Sequence, residues 1–233
     1  MRVYQILVEG PSDLRVVGRL LDMIGVAFED VSEKLAPSKE EKTSQNRRLY
    51  QCQHQDLCVY VNAVGGCSKL EQVIGVTKYV KCQEWADLPI DKHLVIFDAD
   101  TPKNNGGFAK RRDQLIKIMK KNEKQNETPW SLFLLPNNAE DGMLETLLLR
   151  ALSSDATSIG HCVNGLVDCF QVHNAKYELK EKHKVALFAW GCCKEANKDL
   201  RFESSLKDGS TWDYSSEAFA PLRDFLKREL DLV

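Results

Sequence analysis

The sequence has no long apolar run and no large excess of charge of either sign. Its 233 residues include 32 Lys and Arg against 34 Asp and Glu, which gives a formal net charge of -2. No stretch approaches the roughly 18 apolar residues that a membrane-spanning helix needs, and the apolar start of the chain is too short for a signal peptide. We therefore expect a cytoplasmic protein without membrane contact, and any contact with nucleic acid has to come from a local basic patch.

Proline and glycine are also scarce, and the cysteines do not form a metal-binding pattern. The chain has 7 Pro and 13 Gly but is 43% hydrophobic, a composition typical of a globular protein with a substantial core. The 8 cysteines are scattered along the chain, so they indicate neither a zinc site nor a disulfide framework. We interpret them as reduced thiols.

Strand-like and helix-like segments alternate over residues 1–136. The strand-like runs lie at residues 3–8, 56–64, 93–97 and 130–135. Apolar residues at helical spacing follow the first three runs, and this alternation predicts an α/β fold with a mainly parallel central sheet. Residues 30–55 are polar and charged, which predicts a flexible insertion. Residues 137–233 are predicted to form a mainly helical C-terminal extension packed on the same core.

Acidic residues follow two of the predicted strands at the point where each strand ends. Glu9 comes after the first strand, and Asp98 and Asp100 come after the third. Because the carboxyl ends of parallel strands share one edge of a sheet, we expect these carboxylates to converge there. Hard oxygen ligands favour Mg²⁺ or Mn²⁺. The alternative is that these acids only form turns after strands.

A further acidic candidate lies in the segment after the fourth strand. Asp141 and Glu145 are four residues apart at what we interpret as the start of a helix, so we expect them to share a helix face. Glu145 stands in an otherwise apolar, Leu-rich segment, where a charge usually needs a partner, and this makes it a candidate metal ligand. The alternative is that both acids only stabilise the positive end of the helix.

Two groups of residues are candidates for binding phosphate. Gly65 and Gly66 separate the second strand from a predicted helix, so the backbone can approach an anion there, with Lys69 in the first turn of that helix. Lys110 and Arg111 lie shortly after Asp100 and provide a local basic patch suited to a phosphate backbone. The alternatives are a plain turn for the glycines and a solvated helix face for the basic residues.

In this order and spacing, the motifs resemble those of the Toprim domain. The residues that carry the resemblance are Val8-Glu9-Gly10 with Asp13 before a helix, Gly65-Gly66 after the second strand, and Asp98-Ala99-Asp100 after the third. Toprim domains occur in topoisomerases, bacterial primases, recombination-repair proteins, small ribonucleases and the nucleases of phage-defence systems. The resemblance implies a Rossmann-like three-layer sandwich over about residues 1–136.

A wider set of motifs is similar to a bacterial Toprim-like family of unknown function, DUF3226. The motifs are FDAD at residues 97–100, Gly106-Gly107, Arg111, the segment from Phe133 to Leu148, Trp212 and Phe225. The similarity therefore extends beyond the predicted α/β core into the C-terminal third of the chain.

The Toprim resemblance implies Mg²⁺-dependent hydrolysis or nicking of phosphodiester bonds in DNA or RNA. It implies that Glu9 acts as a general acid or base beside the metal, and that Asp98 and Asp100 hold Mg²⁺. We identify no tyrosine of the topoisomerase kind, so we do not expect strand passage. The alternative from another class is a non-catalytic regulatory module that binds metal with a nucleotide or a protein partner in a defence or repair assembly. A third reading is a small-molecule phosphatase.

Overall fold

The computed structural model describes residues 1–24, 27–36, 46–53, 55–83, 85–102, 106–126, 128–152, 161, 162, 165, 168, 169, 206 and 212–232. Eight strands are described: β1 (Arg2–Val8), β2 (Phe28–Asp30), β3 (Arg47–Cys52), β4 (Leu57–Ala63), β5 (Tyr79–Val80), β6 (Leu88–Pro89), β7 (Lys92–Asp98) and β8 (Trp130–Leu135). Five α-helices are described: α1 (Pro11–Met23), α2 (Cys67–Val76), α3 (Phe108–Asn126), α4 (Leu144–Arg150) and α5 (Ala220–Glu229). Two short 3-10 helices cover Ser32–Lys34 and Glu217–Phe219.

A six-stranded, mostly parallel sheet forms the centre of the fold, in the order β2-β3-β4-β1-β7-β8. The four neighbouring strands β4, β1, β7 and β8 are parallel, and β2 and β3 add an antiparallel edge. These four parallel strands are the ones that the sequence predicts. Their carboxyl ends therefore lie along one edge of the sheet, as an α/β fold requires.

Helices cover both faces of this sheet because its strands carry apolar side chains on both sides. On one face Val8 and Ile96 pack with α1, α4 and α5, and on the other Val95 and Phe97 pack with α2 and α3. None of the described helices has the length and apolar character that a membrane span requires. The sheet thus lies between two helical layers.

The last described helix closes the fold against the first strand. Phe225 of α5 packs on Phe133 of β8, with ring centroids 5.2 Å apart. Tyr4 of β1 donates its hydroxyl to Asp231 at 2.7 Å, and Lys92 forms a 2.9 Å ion pair with Glu229. Helices α4 and α5 lie in the predicted helical extension over residues 137–233, while most of its residues from 153 to 211 lie outside the described part.

Residues 30–55 are not simply a flexible insertion, because they contain a strand of the central sheet. β3 pairs antiparallel with β4 from Arg47 to Gln51, and Leu49, Tyr50 and Cys52 are buried. The prediction was wrong here because it relied on the composition of the whole segment, which is polar. The six residues of β3 within it include apolar side chains that are buried. Residues 37–45 lie outside the described part.

A buried histidine in β7 makes folding sensitive to acid. His93 is 2% exposed, its Nδ1 lies 2.8 Å from Gln5 Oε1, and its ring stacks on Trp130. Burial lowers the pKa of His93 from 6.5 to about 4. A depressed pKa gives stability that is present above pH 6.5 and is lost as the pH falls toward 4.

We therefore expect His93→Gln, which cannot titrate, to lose less stability in acid than the wild type. The difference between the two proteins in free energy of unfolding should change by roughly 2–3 kcal/mol between pH 7 and pH 4. Urea unfolding of both proteins at each pH measures this change. Parallel pH profiles for the two proteins would show that His93 does not carry the effect.

Candidate acidic site

The acidic edge of the sheet lies where the chain leaves neighbouring strands toward opposite faces. β1 leads into α1 on one face, and β7 leads into α3 on the other. Val8 of β1 is level with Ile96 of β7, so Glu9 and Asp98 emerge side by side at the ends of adjacent strands. Open α/β sheets bind ligands at such a switch point.

Asp13 enters this edge from the first turn of α1. Gly10 is the N-cap of the helix and Pro11 is its first residue. Asp13 Oδ2 accepts a hydrogen bond from the Gly10 amide at 2.7 Å, as the third residue of a capping box does. Its other oxygen, Oδ1, is buried and has no hydrogen-bond partner among the described residues. Asp13 thus caps the helix with one carboxylate oxygen and does not use the other for capping.

Asp98 joins the end of β7 to the start of α4. Its Oδ1 accepts a hydrogen bond from the Leu144 amide at 2.9 Å, and Glu145 is the next residue of that helix. The pKa of Asp98 is raised well above 3.8, first by burial and then by the charges of Asp13, Glu9 and Glu145. The amide of Leu144 opposes this shift but does not cancel it.

We define the acidic cluster as Glu9, Asp13, Asp98 and Glu145. The pKa of Asp13 is raised to about 7, mainly by burial and also by Glu9 and Glu145. Buried carboxylates close to one another raise each other's pKa, because each negative charge disfavours ionisation of its neighbour. A bound cation has the opposite effect and favours the ionised forms. Within the described ranges, however, no three His, Cys, Asp or Glu side chains are already spaced to hold a metal ion. The cluster concentrates negative charge without forming a closed metal cage.

The backbone of Asp100 is not in a strand conformation, and its side chain forms an ion pair. Its φ of 59° is left-handed, so it does not continue the extended alternation that would place it on the same side as Asp98. Its carbonyl accepts a hydrogen bond from Gly142 at 2.8 Å, and its carboxylate pairs with Arg111 of α3. The structure therefore gives the two aspartates different partners.

Arg111 brings positive charge to the border of the acidic cluster. Burial alone would lower its pKa, but the hydrogen bond and charge of Asp100, followed by the charge of Glu9, raise the pKa above its ordinary value. The same guanidinium group lies beside Cys67, whose pKa is raised mainly by burial. Arg111 thus connects Asp100, Glu9 and the start of α2 electrostatically.

The loop before α2 lies directly against Glu9. The Gly65 amide donates a hydrogen bond to the Glu9 carbonyl at 2.8 Å. Gly65 and Gly66 have φ values of 82° and 108°, which favour glycine. A Cβ on Gly65 would be 3.4 Å from Lys69 Nζ, so this ammonium group covers the loop beside the acidic edge.

A comparison with family models covers nearly the whole chain. The model described as "Protein of unknown function (DUF3226)" matches residues 3–231. The chain belongs to the DUF3226 family. No curated protein matches the sequence of this DUF3226 member. The crystal structure of hypothetical protein PH0156 from Pyrococcus horikoshii OT3 is similar to it at 11% sequence identity with a TM-score of 0.48, over 100% of this chain and 96% of that one.

Most of the site residues predicted from the sequence come together in this DUF3226 protein. Glu9, Asp98 and Glu145 are in the acidic cluster, and Asp100 and Arg111 form an ion pair at its border. Gly65, Gly66 and Lys69 form the adjoining loop, whereas Lys110 is an exposed residue in the first turn of α3.

Asp141 does not share a helix face with Glu145, contrary to the prediction. Helix α4 begins at Leu144, so Asp141 lies before the helix. Its Oδ1 accepts a hydrogen bond from the Phe108 amide at 2.5 Å. It therefore satisfies the first amide of α3 and is not a second acid of the cluster.

Asp13 carries part of the Toprim resemblance but was not among the site residues predicted from the sequence. An acid in the first turn of a helix is ordinary capping chemistry, so its residue type alone does not indicate a site. The available signal was its spacing from Glu9. Because Glu9 ends the strand and Asp13 is one helical turn later, both side chains reach the same edge.

Proposed function

We propose that this DUF3226 protein is a Mg²⁺- or Mn²⁺-dependent phosphodiesterase of the Toprim type, which hydrolyses or nicks nucleic acid at the acidic cluster. The observation that carries the proposal is the electrostatic coupling of Asp98 with Asp13, Glu9 and Glu145 at the switch point of the sheet. A protein keeps such mutually repelling, desolvated carboxylates at a cost in stability, and the place where they meet is where α/β sheets bind ligands.

The donor set of the acidic cluster fits a hydrated divalent ion. Glu9, Asp98 and Glu145 would hold it, with the buried Oδ1 of Asp13 available beside them. Mg²⁺ commonly keeps several waters and takes only one or two carboxylates directly, so a closed cage is not required. When bound, such an ion polarises a phosphoryl oxygen and lowers the pKa of water.

The residues around the cluster can position a phosphodiester. Arg111 and Lys69 supply positive charge to phosphate oxygens, and the Gly65-Gly66 backbone allows close approach of a strand. Glu9, at the end of β1 between this loop and Asp98, is placed to take or deliver the proton that hydrolysis requires. Asp100 orients Arg111 through their ion pair.

The rival proposal is a regulatory module that binds a metal ion with a nucleotide or a protein partner and does not cleave. The net charge of -2 favours it, because the chain as a whole does not attract nucleic acid. The two proposals share the acidic cluster and differ in whether metal binding leads to hydrolysis.

A cleavage assay with a matched variant separates the two proposals. Labelled single-stranded DNA, double-stranded DNA and structured RNA are incubated with the protein in Mg²⁺, Mn²⁺ or EDTA. We expect metal-dependent cutting by the wild type and none by Glu9→Gln/Asp98→Asn. Asp113→Asn, which removes an exposed carboxylate of α3, should cut normally. Equal cutting by the double variant would refute the proposed site, and metal binding without cutting would favour the regulatory module.

A further inference from the structure

A second cavity lies between α1 and the antiparallel edge of the sheet. Its volume is about 360 Å³, and its walls include Leu14, Arg15, Arg19, Arg48, Tyr50 and Leu206. Sites for small molecules commonly begin at about 300 Å³. None of these residues belongs to the acidic cluster, so the cavity is a separate candidate site of suitable size.

Three arginines from two elements face this cavity. Arg15 and Arg19 are four residues apart on α1 and so share a helix face, and Arg48 comes from β3. All three are partly buried. A guanidinium group presents its N–H donors in a planar fork that matches the oxygens of a phosphate. The cavity therefore has the side chains that recognise a phosphate group.

Asp22 and Asp30 also line the cavity, and Arg48 already donates a hydrogen bond to the Arg47 carbonyl at 2.9 Å. Arg19 Nη1 is 3.7 Å from Asp22 Oδ2, and Arg48 Nε is 3.7 Å from Asp30 Oδ2, distances longer than hydrogen bonds. Arg19 Nε is buried and has no acceptor among the described residues. Because a buried donor without an acceptor is unfavourable, an anion bound at Arg19 would relieve a defect already present.

Tyr50 gives the cavity an aromatic wall and a hydroxyl group. It reaches α1 because Gly18 has no side chain there, and a Cβ on Gly18 would be 2.4 Å from Tyr50 Oη. Burial raises the pKa of Tyr50 above 10, so its hydroxyl stays protonated. Leu14 and Leu206 lie behind this wall and are buried. The cavity thus joins a cationic part to an aromatic part.

We infer that this cavity binds a nucleoside that carries a terminal phosphate. The phosphate would lie on Arg19 and Arg48, and the nucleoside would pack against the accessible edge of Tyr50. The same chemistry is offered by a free mononucleotide and by the 5′-phosphorylated end of a strand. The inference does not depend on the proposed function, because no residue of the acidic cluster and no metal ion takes part.

Calorimetric titrations of the full chain in EDTA test this inference without a contribution from metal. The probes are adenosine 5′-monophosphate, adenosine, inorganic phosphate and a 5′-phosphorylated trinucleotide beside its unphosphorylated form. We expect the monophosphate to bind and adenosine not to bind. Arg19→Gln and Arg48→Gln should each weaken binding at least about tenfold, whereas Arg112→Gln, on the exposed side of α3, should leave it unchanged.

Comparing the mononucleotide with the phosphorylated trinucleotide also shows which kind of ligand the cavity binds. Tighter binding of the phosphorylated trinucleotide than of the mononucleotide would assign the cavity to strand ends, and the reverse would assign it to free nucleotides. Unchanged affinity in both arginine variants, or no binding of either phosphorylated probe, would overturn the inference. Inorganic phosphate that binds as tightly as the mononucleotide would overturn the part assigned to the nucleoside. Because Arg19 also lies over the Tyr214 ring, Arg48→Gln keeps the test valid if Arg19→Gln fails to fold.

Discussion

Replacing Asp98 with Asn should remove Mg²⁺-dependent cleavage and at the same time make the metal-free protein more stable. Changes to residues that hydrogen-bond metal ligands already lower metal affinity or activity about 10–100-fold. We therefore expect loss of the Asp98 carboxylate itself to lower the cleavage rate more than about a hundredfold. Stability should rise because the pKa of Asp98 is raised by burial and by three neighbouring acids, and Asn removes the charge that they disfavour. Activity and stability therefore move in opposite directions.

Cleavage rates in Mg²⁺ and urea unfolding in EDTA, both at pH 8, measure the two effects on the same preparations. Asp141→Asn is a suitable second control, because its carboxylate serves the start of α3 outside the acidic cluster. A variant of Asp98 that cuts at the wild-type rate would remove this residue from the site. If the Asp98→Asn variant loses both activity and stability, Asp98 has a mainly structural role.

Asp13→Asn should also increase stability at alkaline pH. The pKa of Asp13 is raised from 3.8 to about 7, so its stabilising contribution is present below pH 3.8 and is lost as the pH rises through 7. Asn keeps an oxygen for the Gly10 amide but carries no charge. We expect the free energy of unfolding at pH 8 in EDTA to increase by up to about 4 kcal/mol.

Unfolding curves from pH 4 to pH 8, with and without Mg²⁺, check this expectation. The wild type should lose stability relative to Asp13→Asn as the pH rises, and Mg²⁺ should restore more stability to the wild type than to the variant. An ion present at about a hundred times its Kd adds about 2.7 kcal/mol. Equal responses to pH in the two proteins would show that Asp13 ionises normally.

The parallel core and the central acids could be predicted because both depend on local sequence patterns. Glu9 and Asp98 each lie at the end of an apolar strand. Because neighbouring parallel strands end at a common edge of the sheet, this pattern predicts that both side chains lie at that edge. The arrangement of Asp100 depends instead on a left-handed backbone and on an arginine eleven residues later. No spacing rule predicts that pair.

The errors have equally specific causes. Asp141 was placed on a helix because a helix boundary was read three residues too early, and α4 begins only at Leu144. Strand β3 was missed because its two arginines and its polar neighbours dominate the composition, although Leu49 and Tyr50 are buried. Asp13 was not predicted as a site residue, because sequence alone does not reveal that one oxygen of a helix-capping acid is buried among other acids.

The contacts that join β1 to α5 determine when the fold can be completed during synthesis. Tyr4 and Asp231 are 227 positions apart, yet β1 is the strand that lies between β4 and β7. The ribosome makes β1 before α5, so the nascent chain exposes the apolar surface that α5 covers until that helix has been made. Contacts of such long range slow folding and prolong the aggregation-prone stage. This topology therefore delays the burial of one face of the sheet until the whole span from β1 to α5 has been translated.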